Sequence, residues 1–506
     1  MRMYSPYDLD PYRRTTGIFQ LVRAEWDTSN GVGAKVGKVL DVERLSGLDA
    51  SFLYLETRSQ LMHITGLIEL DPETMQGGYS FAKMRDELDR RIGALPTFRR
   101  KVRDSILNLD HPVWVEDREF DIERHVHRVA VPAPGGQAEL ADFCAHIAGV
   151  PLDRSKPLWE MWVIEGLADG KIAVLLRMHH AGVDGVTASD LLAQLCTLTP
   201  DPPELDDASL ARTAGDASLV GLAADGALQI ARRPLSFARL LPKTAQVPFD
   251  WVSRALRGEA MPAPFRAPRT PFNKTITPHR SIAYTQVSLS DLKRIKDHFD
   301  VKLNDVVLSV CAGALRSYLD GRGDLPEQPL VAMVPVSVHG DNDDDLVTQG
   351  TNKVTGMFTK LATDVADPVQ RIKTIGEQVR KSKDHHGSMD SNLLRGWAQF
   401  IPPATMGMAM RLYSSQQLAE HHPAIFNLVI SNVPGPDFPL YYLGAKIEAM
   451  YPLGPVFHGA GMNITVFSLD GHLNIGVIAC KEHAPDLRPL MQSFEDEVKM
   501  LLEAVD

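Results

Sequence analysis

The stretch Lys171-Ile172-Ala173-Val174-Leu175-Leu176-Arg177-Met178-His179-His180-Ala181-Gly182-Val183-Asp184-Gly185 decides how this chain is read. The turn signal Asp169-Gly170 leads into an apolar run of strand length. Two histidines end that run, and small residues follow. A buried strand finishing in imidazoles and glycines can hold a base at the rim of a cleft while keeping backbone clear of a ligand. Imidazole changes charge near neutral pH, which suits removal of a hydroxyl proton. Neighbours in extended backbone face opposite sides, so one histidine is expected to meet substrate and the other to hold the turn. Asp184 is expected to lock the loop, through a turn N–H or a buried arginine. On these residues alone three readings stand: a general base, a polar turn without chemistry, and a metal site. The third lacks ligands, because neither histidine has a partner three or four residues on and Asp184 alone completes no set.

Working outward, Trp159–Glu165 and His63–Leu70 read as further strands, and Phe81–Ile92 as an amphipathic helix. Leu45–Leu53 reads as a short helix with Asp49 as its N-cap, and Thr187–Leu198 as the helix after the histidines. Pro200–Asp207 is acidic and proline-containing, a linker. Leu219–Leu256 is amphipathic and carries Arg232, Arg233, Arg239, Lys243 and Arg254, and Met261–Pro278 is a proline-rich crossover. A second patterned block follows. It holds a strand at Ile282–Leu289, helices at Ser290–His298 and Asn304–Leu319, and a strand at Leu330–Val338. After a loop at Asp341–Asp345 come strands near Phe426–Ile430, Asn463–Ser468 and Leu473–Ala479, then a last helix, Leu487–Ala504. Strands and helices alternate in both halves, which predicts an α/β fold of two domains. The expected division is an extension over 1–41, a first domain over 42–205, a linker and crossover over 206–280, and a second domain over 281–506. The glycine-rich Gly31–Lys38 fails as a phosphate loop, because Val39 stands where a Ser or Thr would meet magnesium.

Composition narrows the function classes. At 506 residues and 44% hydrophobic the chain can bury more than one core. Its net charge of -11 argues against a nucleic-acid partner. The four cysteines are far apart and lie in apolar stretches, which predicts small buried side chains in a reducing compartment. No apolar run reaches the ~20 residues of a membrane helix. The first forty residues lack an apolar signal core, so a cytoplasmic location is expected.

The His-His-x-x-x-Asp-Gly run resembles the active-site signature of a superfamily of CoA- and carrier-dependent acyltransferases. Within it, the chain resembles the bacterial wax ester synthase/acyl-CoA:diacylglycerol acyltransferase family from about residue 42 onward. Leu45–Leu53 to Glu56 with Met62-His63 is similar to that family's start. Pro157-Leu158-Trp159 matches its Pro-Leu-Trp motif, Asn304-Asp305 its Asn-Asp motif, and Asn432-Val433-Pro434 its Asn-Val-Pro motif.

The resemblance implies two chloramphenicol-acetyltransferase-like domains joined by a crossover, with a tunnel between them. It implies that His180 is the catalytic base, that His179 and Gly185 complete the motif, and that Asp184 supports the loop. Asn273 is the candidate oxyanion donor, since its segment is similar to the family's stretch before the second half. Pro157, Leu158, Trp159, Asn304, Asp305, Asn432, Val433 and Pro434 are expected to bind substrate or shape the cleft. The implied reaction is direct transfer from acyl-CoA to diacylglycerol or a long-chain alcohol. Acyl-CoA is then a substrate, and neither cofactor nor metal is expected. Such acceptors imply a location at the periphery of a membrane or lipid droplet, with Leu219–Leu256 as the contact. Two other functions share these residues: a condensation-type enzyme fed by a carrier protein, and a lipid-droplet protein without turnover. The chain departs from the pattern in residues 1–40, which have no counterpart, and in the acidic Asn342–Leu346.

Overall fold

The computed structural model describes residues 44–93, 95–104, 111–183, 195–201, 254, 257, 261–337, 354–387 and 403–505. Their longer strands collect into two mixed sheets. The first runs in the order β4 (Val126–Ala130), β5 (Trp159–Glu165), β6 (Ile172–His179), β1 (His63–Asp71), β13 (Ala445–Leu453), β12 (Tyr441–Tyr442), β7 (Cys196–Thr197). The second runs β10 (Val354–Lys360), β9 (Val331–Ser337), β11 (Leu428–Val433), β14 (Met462–Leu469), β15 (His472–Cys480), β8 (Arg280–Ser288). A separate hairpin joins β2 (Arg100–Arg103) to β3 (Val113–Glu116). The helices used below are α1 (Gly47–Leu55), α2 (Phe81–Ile92), α3 (Gln137–Ala148), α4 (Leu289–Phe299), α5 (Leu303–Asp320), α6 (Pro368–Gly387), α7 (Pro403–Ser415) and α8 (Arg488–Glu503).

Local chemistry explains where these elements start and which side they bury. Helix α2 buries Met84, Leu88 and Ile92, four residues apart, and leaves most of its charges outside. Ser288 caps α4 by accepting the Asp291 N–H at 3.2 Å, and Asp300 in left-handed backbone ends it. Strands β6 and β14 are buried along almost their whole length, as befits strands covered on both faces. Helix α5 is buried nearly all round and forms the axis of the second core, against α6 and α8. Its interior Gly313 has a steric reason: a Cβ there would lie 2.1 Å from the carboxyl of Glu497 on α8. Arg371 on α6 grips that carboxylate with hydrogen bonds of 2.6 and 2.7 Å.

The expected α/β class holds, and most expected elements fall within one or two residues of the observed ones. Three readings change. Helix α1 is capped by Ser46, not Asp49: the Ser46 Oγ accepts the Asp49 N–H at 3.1 Å and donates to its carboxylate at 2.7 Å. Cys196-Thr197 is a strand paired with β12 rather than the end of a helix, while residues 187–194 lie outside the described residues. The division near residue 281 is crossed in space. Strand β13, from the second half, pairs antiparallel with β1, from Thr65 opposite Leu453 to Asp71 opposite Lys446. The first sheet therefore needs both halves of the chain. The four cysteines are buried thiols, as their apolar surroundings predict. The extension over 1–41, Gly31–Lys38, the loop at Asp341–Asp345 and the stretch Leu219–Leu256, apart from Arg254, fall outside the described residues.

Candidate active site

Strand β6, interior to the first sheet, delivers the histidine pair at its C-terminal end, and its two neighbours hold the pair's backbone. The His179 N–H donates to the Leu158 carbonyl at 3.0 Å, just before β5. The His180 N–H donates to the Met62 carbonyl at 2.7 Å, just before β1. The Pro-Leu-Trp and Met-His motifs thus clamp the histidines from either side. Trp159 is buried and anchored, its Nε1 donating to the Phe98 carbonyl at 2.8 Å. Two residues before the pair, buried Arg177 binds the Glu160 carboxylate at 2.6 Å and the Ile147 carbonyl at 2.6 Å, tying α3 to the sheet.

The two imidazoles have different surroundings. His179 is 2% exposed. Its Nδ1 accepts the Ala181 N–H at 3.0 Å, so the proton belongs on Nε2, which faces Glu56 Oε1 at 3.6 Å. His180 is half-buried, and its ring stacks on Phe52 of α1 with centroids 4.2 Å apart and planes 10° apart. A turn follows, with the Gly182 N–H donating to the His179 carbonyl at 3.1 Å. A Cβ at Gly182 would lie in contact with the Trp114 ring at 3.4 Å. A cleft of about 80 Å³ opens beside His179, lined in part by Trp114, Leu158, Trp159, His179 and Gly182; His180 is not among its lining residues.

Glu56 is the residue that reading the sequence for function missed. It follows the last turn of α1 and is largely buried. His179 Nε2 at 3.6 Å, His63 Nε2 at 3.4 Å and the Met62 N–H at 3.4 Å all converge on its Oε1. Arg154 binds its Oε2 at 2.5 Å. Burial by itself would raise the Glu56 pKa; the His179 and His63 contacts outweigh it and hold the carboxyl well below the usual range. His63 is pushed down to about 4, first by burial, against the opposing pull of Glu56. It is therefore neutral at pH 7. The sequence offered two signals: Glu56 closes the stretch similar to the family's start, and it stands four residues after Phe52, just past the end of α1.

The other expected site residues lie elsewhere. Asn273 is fully spent on structure. Its Oδ1 accepts from Thr270 Oγ1 at 2.7 Å and Asn427 Nδ2 at 2.8 Å, and its Nδ2 donates to the carbonyls of Phe426 at 3.0 Å and Gly459 at 2.6 Å. Both amide hydrogens being used, it fastens the crossover to the second domain instead of offering a donor to an oxyanion. Asp305 accepts the Lys302 N–H at 3.1 Å and so closes the start of α5. Asn304 Oδ1 accepts from Asn432 Nδ2 at 3.2 Å, which joins the Asn-Asp and Asn-Val-Pro motifs. Val433 packs against the first domain's core, so that turn marks the seam. Next to Pro434, a Cβ on Gly435 would meet the Ser468 carbonyl at 2.1 Å. Asp184 and Gly185 lie outside the described residues. Among the described residues there is no cluster of three or more metal-ligating side chains, and no helix is long and apolar enough to cross a membrane.

The architecture is that of chloramphenicol-acetyltransferase-like proteins. The cyclization-docking bidomain of a peptide synthetase from Sorangium cellulosum shares it, with a TM-score of 0.52 at 13% identity, covering 100% of this chain and 94% of that one. The chain belongs to the wax ester synthase/diacylglycerol acyltransferase family. The family's "Wax ester synthase/diacylglycerol acyltransferase catalytic domain" matches residues 45–307 and its "WS/DGAT C-terminal domain" residues 350–502. A Mycobacterium tuberculosis protein provisionally named a diacylglycerol O-acyltransferase, MT1809, is 47% identical over 92% of this chain and 91% of its own. The wax ester synthase/diacylglycerol acyltransferase of Marinobacter aquaeolei VT8 superposes with a TM-score of 0.66 at 28% identity, covering 92% of this chain and 99% of that one.

Proposed function

We propose that this chain is an acyl-CoA-dependent O-acyltransferase that makes triacylglycerol from diacylglycerol, wax esters from long-chain alcohols, or both, with His180 as the general base. Family membership supports the reaction class. One observation carries the choice of histidine: both nitrogens of buried His179 are directed at protein groups, whereas the half-buried ring at the end of the same strand is that of His180. In the step proposed, His180 takes the acceptor's hydroxyl proton and the oxygen attacks the thioester carbonyl. The C–S bond then breaks, and the imidazolium returns its proton to the CoA thiolate. Ester and CoA are the products, and no acyl-enzyme forms. Asp184 keeps the role its motif implies, support of the loop after the histidines. Product analysis with one long-chain acyl-CoA and competing diacylglycerol and fatty alcohol tests the reading. Stoichiometric CoA and ester are expected. A donor requirement for acyl carrier protein, or no ester from either acceptor, overturns it.

Such acceptors are nearly insoluble, and this supports work at a lipid surface. Helix α7 exposes Met408 by 62% and Leu412 by 56%, one turn apart. The basic stretch from 219 to 256 would add cations, each worth on the order of 1 kcal/mol at an anionic surface. Reversing the charge of Arg232, Arg233 and Arg239 should reduce flotation with anionic liposomes and spare turnover of a detergent-dispersed acceptor. Unchanged flotation with a raised KM for acyl-CoA assigns those arginines to the donor site instead.

A further inference from the structure

We infer that Glu56 and Phe52 together make α1 a positioning device for the histidine pair, with Glu56 fixing the tautomer of His179 and thereby the turn that carries His180. The inference rests on His180 being the base. Three facts converge on it. Phe52 lies in the last turn of α1 and Glu56 is the residue that caps its end. Phe52 stacks on the His180 ring at 4.2 Å. Glu56 Oε1 faces His179 Nε2 at 3.6 Å while His179 Nδ1 accepts the Ala181 N–H at 3.0 Å.

Those contacts are interdependent. Only the Nε2–H tautomer of His179 leaves Nδ1 able to accept the Ala181 N–H. The other tautomer would set an N–H against an N–H in a buried place and loosen the turn immediately after His180. A carboxylate opposite Nε2 selects the required form, much as a buried acid orients the histidine of a hydrolase triad. The Met62 N–H donates to that oxygen at 3.4 Å, and the His63 and His179 Nε2 atoms lie 3.4 and 3.6 Å from it without forming a hydrogen bond. The carboxylate therefore orients both histidines without closing a tight pair with either. Arg154, half exposed, balances its charge from the solvent side.

Two volume-conserving variants test this. Glu56→Gln keeps an acceptor oxygen at the same place; Glu56→Met fills the space without one. The expected result is a kcat for the Met variant lower by about 10²-fold, the scale of a misplaced catalytic group, with KM for both substrates within about twofold. The Gln variant should recover at least about tenfold of that loss. Parental kcat in a folded Met variant, a loss expressed in KM, or a Gln variant as impaired as Met overturns the inference. Should the Met variant fail to fold, ¹⁵N NMR of the histidine-labelled parent decides, because a Nδ1–H tautomer at His179 is incompatible with it. His180→Ala is measured in parallel. If that variant is inactive while the Met variant is active, the positioning role alone fails. If the folded His180→Ala protein is active, the assignment of the base fails.

Discussion

Each half of the molecule buries a carboxylate, and the two are treated differently. In the second domain Glu497 meets Arg371 at 2.6 and 2.7 Å, both side chains 2% exposed or less. The pair ties α6 to α8, and α5 gives up a side chain at Gly313 to admit it. In the first domain two imidazoles and an amide lie 3.4 to 3.6 Å from Glu56 Oε1, while half-exposed Arg154 binds Oε2 at 2.5 Å. A buried charge closed on both oxygens by an equally buried counter-ion is scaffold, and its loss is felt as stability. A buried charge shared among several longer contacts sets orientation, and its loss is felt as turnover. The position of the histidines sharpens the contrast, since the buried strand β6 of the first sheet ends in His179.

The largest stability effect should come from Glu497→Ala, which leaves Arg371 buried and unopposed. Breaking one partner of a buried pair costs about 3–5 kcal/mol. Denaturant unfolding should show that loss while kcat of the folded enzyme is kept. A loss of kcat with native stability would erase the distinction between the two carboxylates.

Acid should act next, and through the first domain. Folding lowers the pKa of His63 to about 4, from an ordinary value near 6.5. Between those pH values the unfolded chain binds a proton that the folded one refuses, so stability rises with pH. The contribution is complete above pH about 6.5 and is lost as pH falls toward 4, amounting to about 3 kcal/mol at most. Unfolding midpoints of the parent and His63→Gln across this window should differ in slope, the variant being flatter. Equal slopes would mean that His63 is not held neutral. The smallest effect is Gly313→Ala, whose added methyl presses on the Glu497 carboxyl. Overpacking of that kind costs about 1–3 kcal/mol, and an unchanged unfolding midpoint would mean that the α5–α8 contact yields freely.

Much of the fold was legible because its signals are local. The apolar run ending at His179 and the four-residue spacing in α2 each declare one element. Topology was less so. Strand β13 alternates cleanly, with Ala445, Ile447, Ala449, Tyr451 and Leu453 buried. Nothing in that alternation says its partner is β1, almost four hundred residues earlier, and so the domain boundary was drawn through a shared sheet. At the site, adjacent residues were readable and distant ones were not. The histidine pair sits where its apolar run placed it, at the end of β6. Glu56 could not be linked to them, because the link is made by a helix end meeting a strand end. Asn273 misled for the opposite reason: a motif-like segment says which residue is special but not whether its amide faces a ligand or its own backbone.

The central claim is that the half-buried histidine does the chemistry and the buried one holds it in place. The most direct measurement is single-turnover acyl transfer by folded His180→Ala and His179→Ala proteins, with unfolding midpoints recorded alongside. The account predicts that His180→Ala slows transfer by about 10²–10⁴-fold, the span of a general base, at an unchanged midpoint, whereas His179→Ala lowers the midpoint as well as the rate. Near-parental transfer by a folded His180→Ala protein would contradict it.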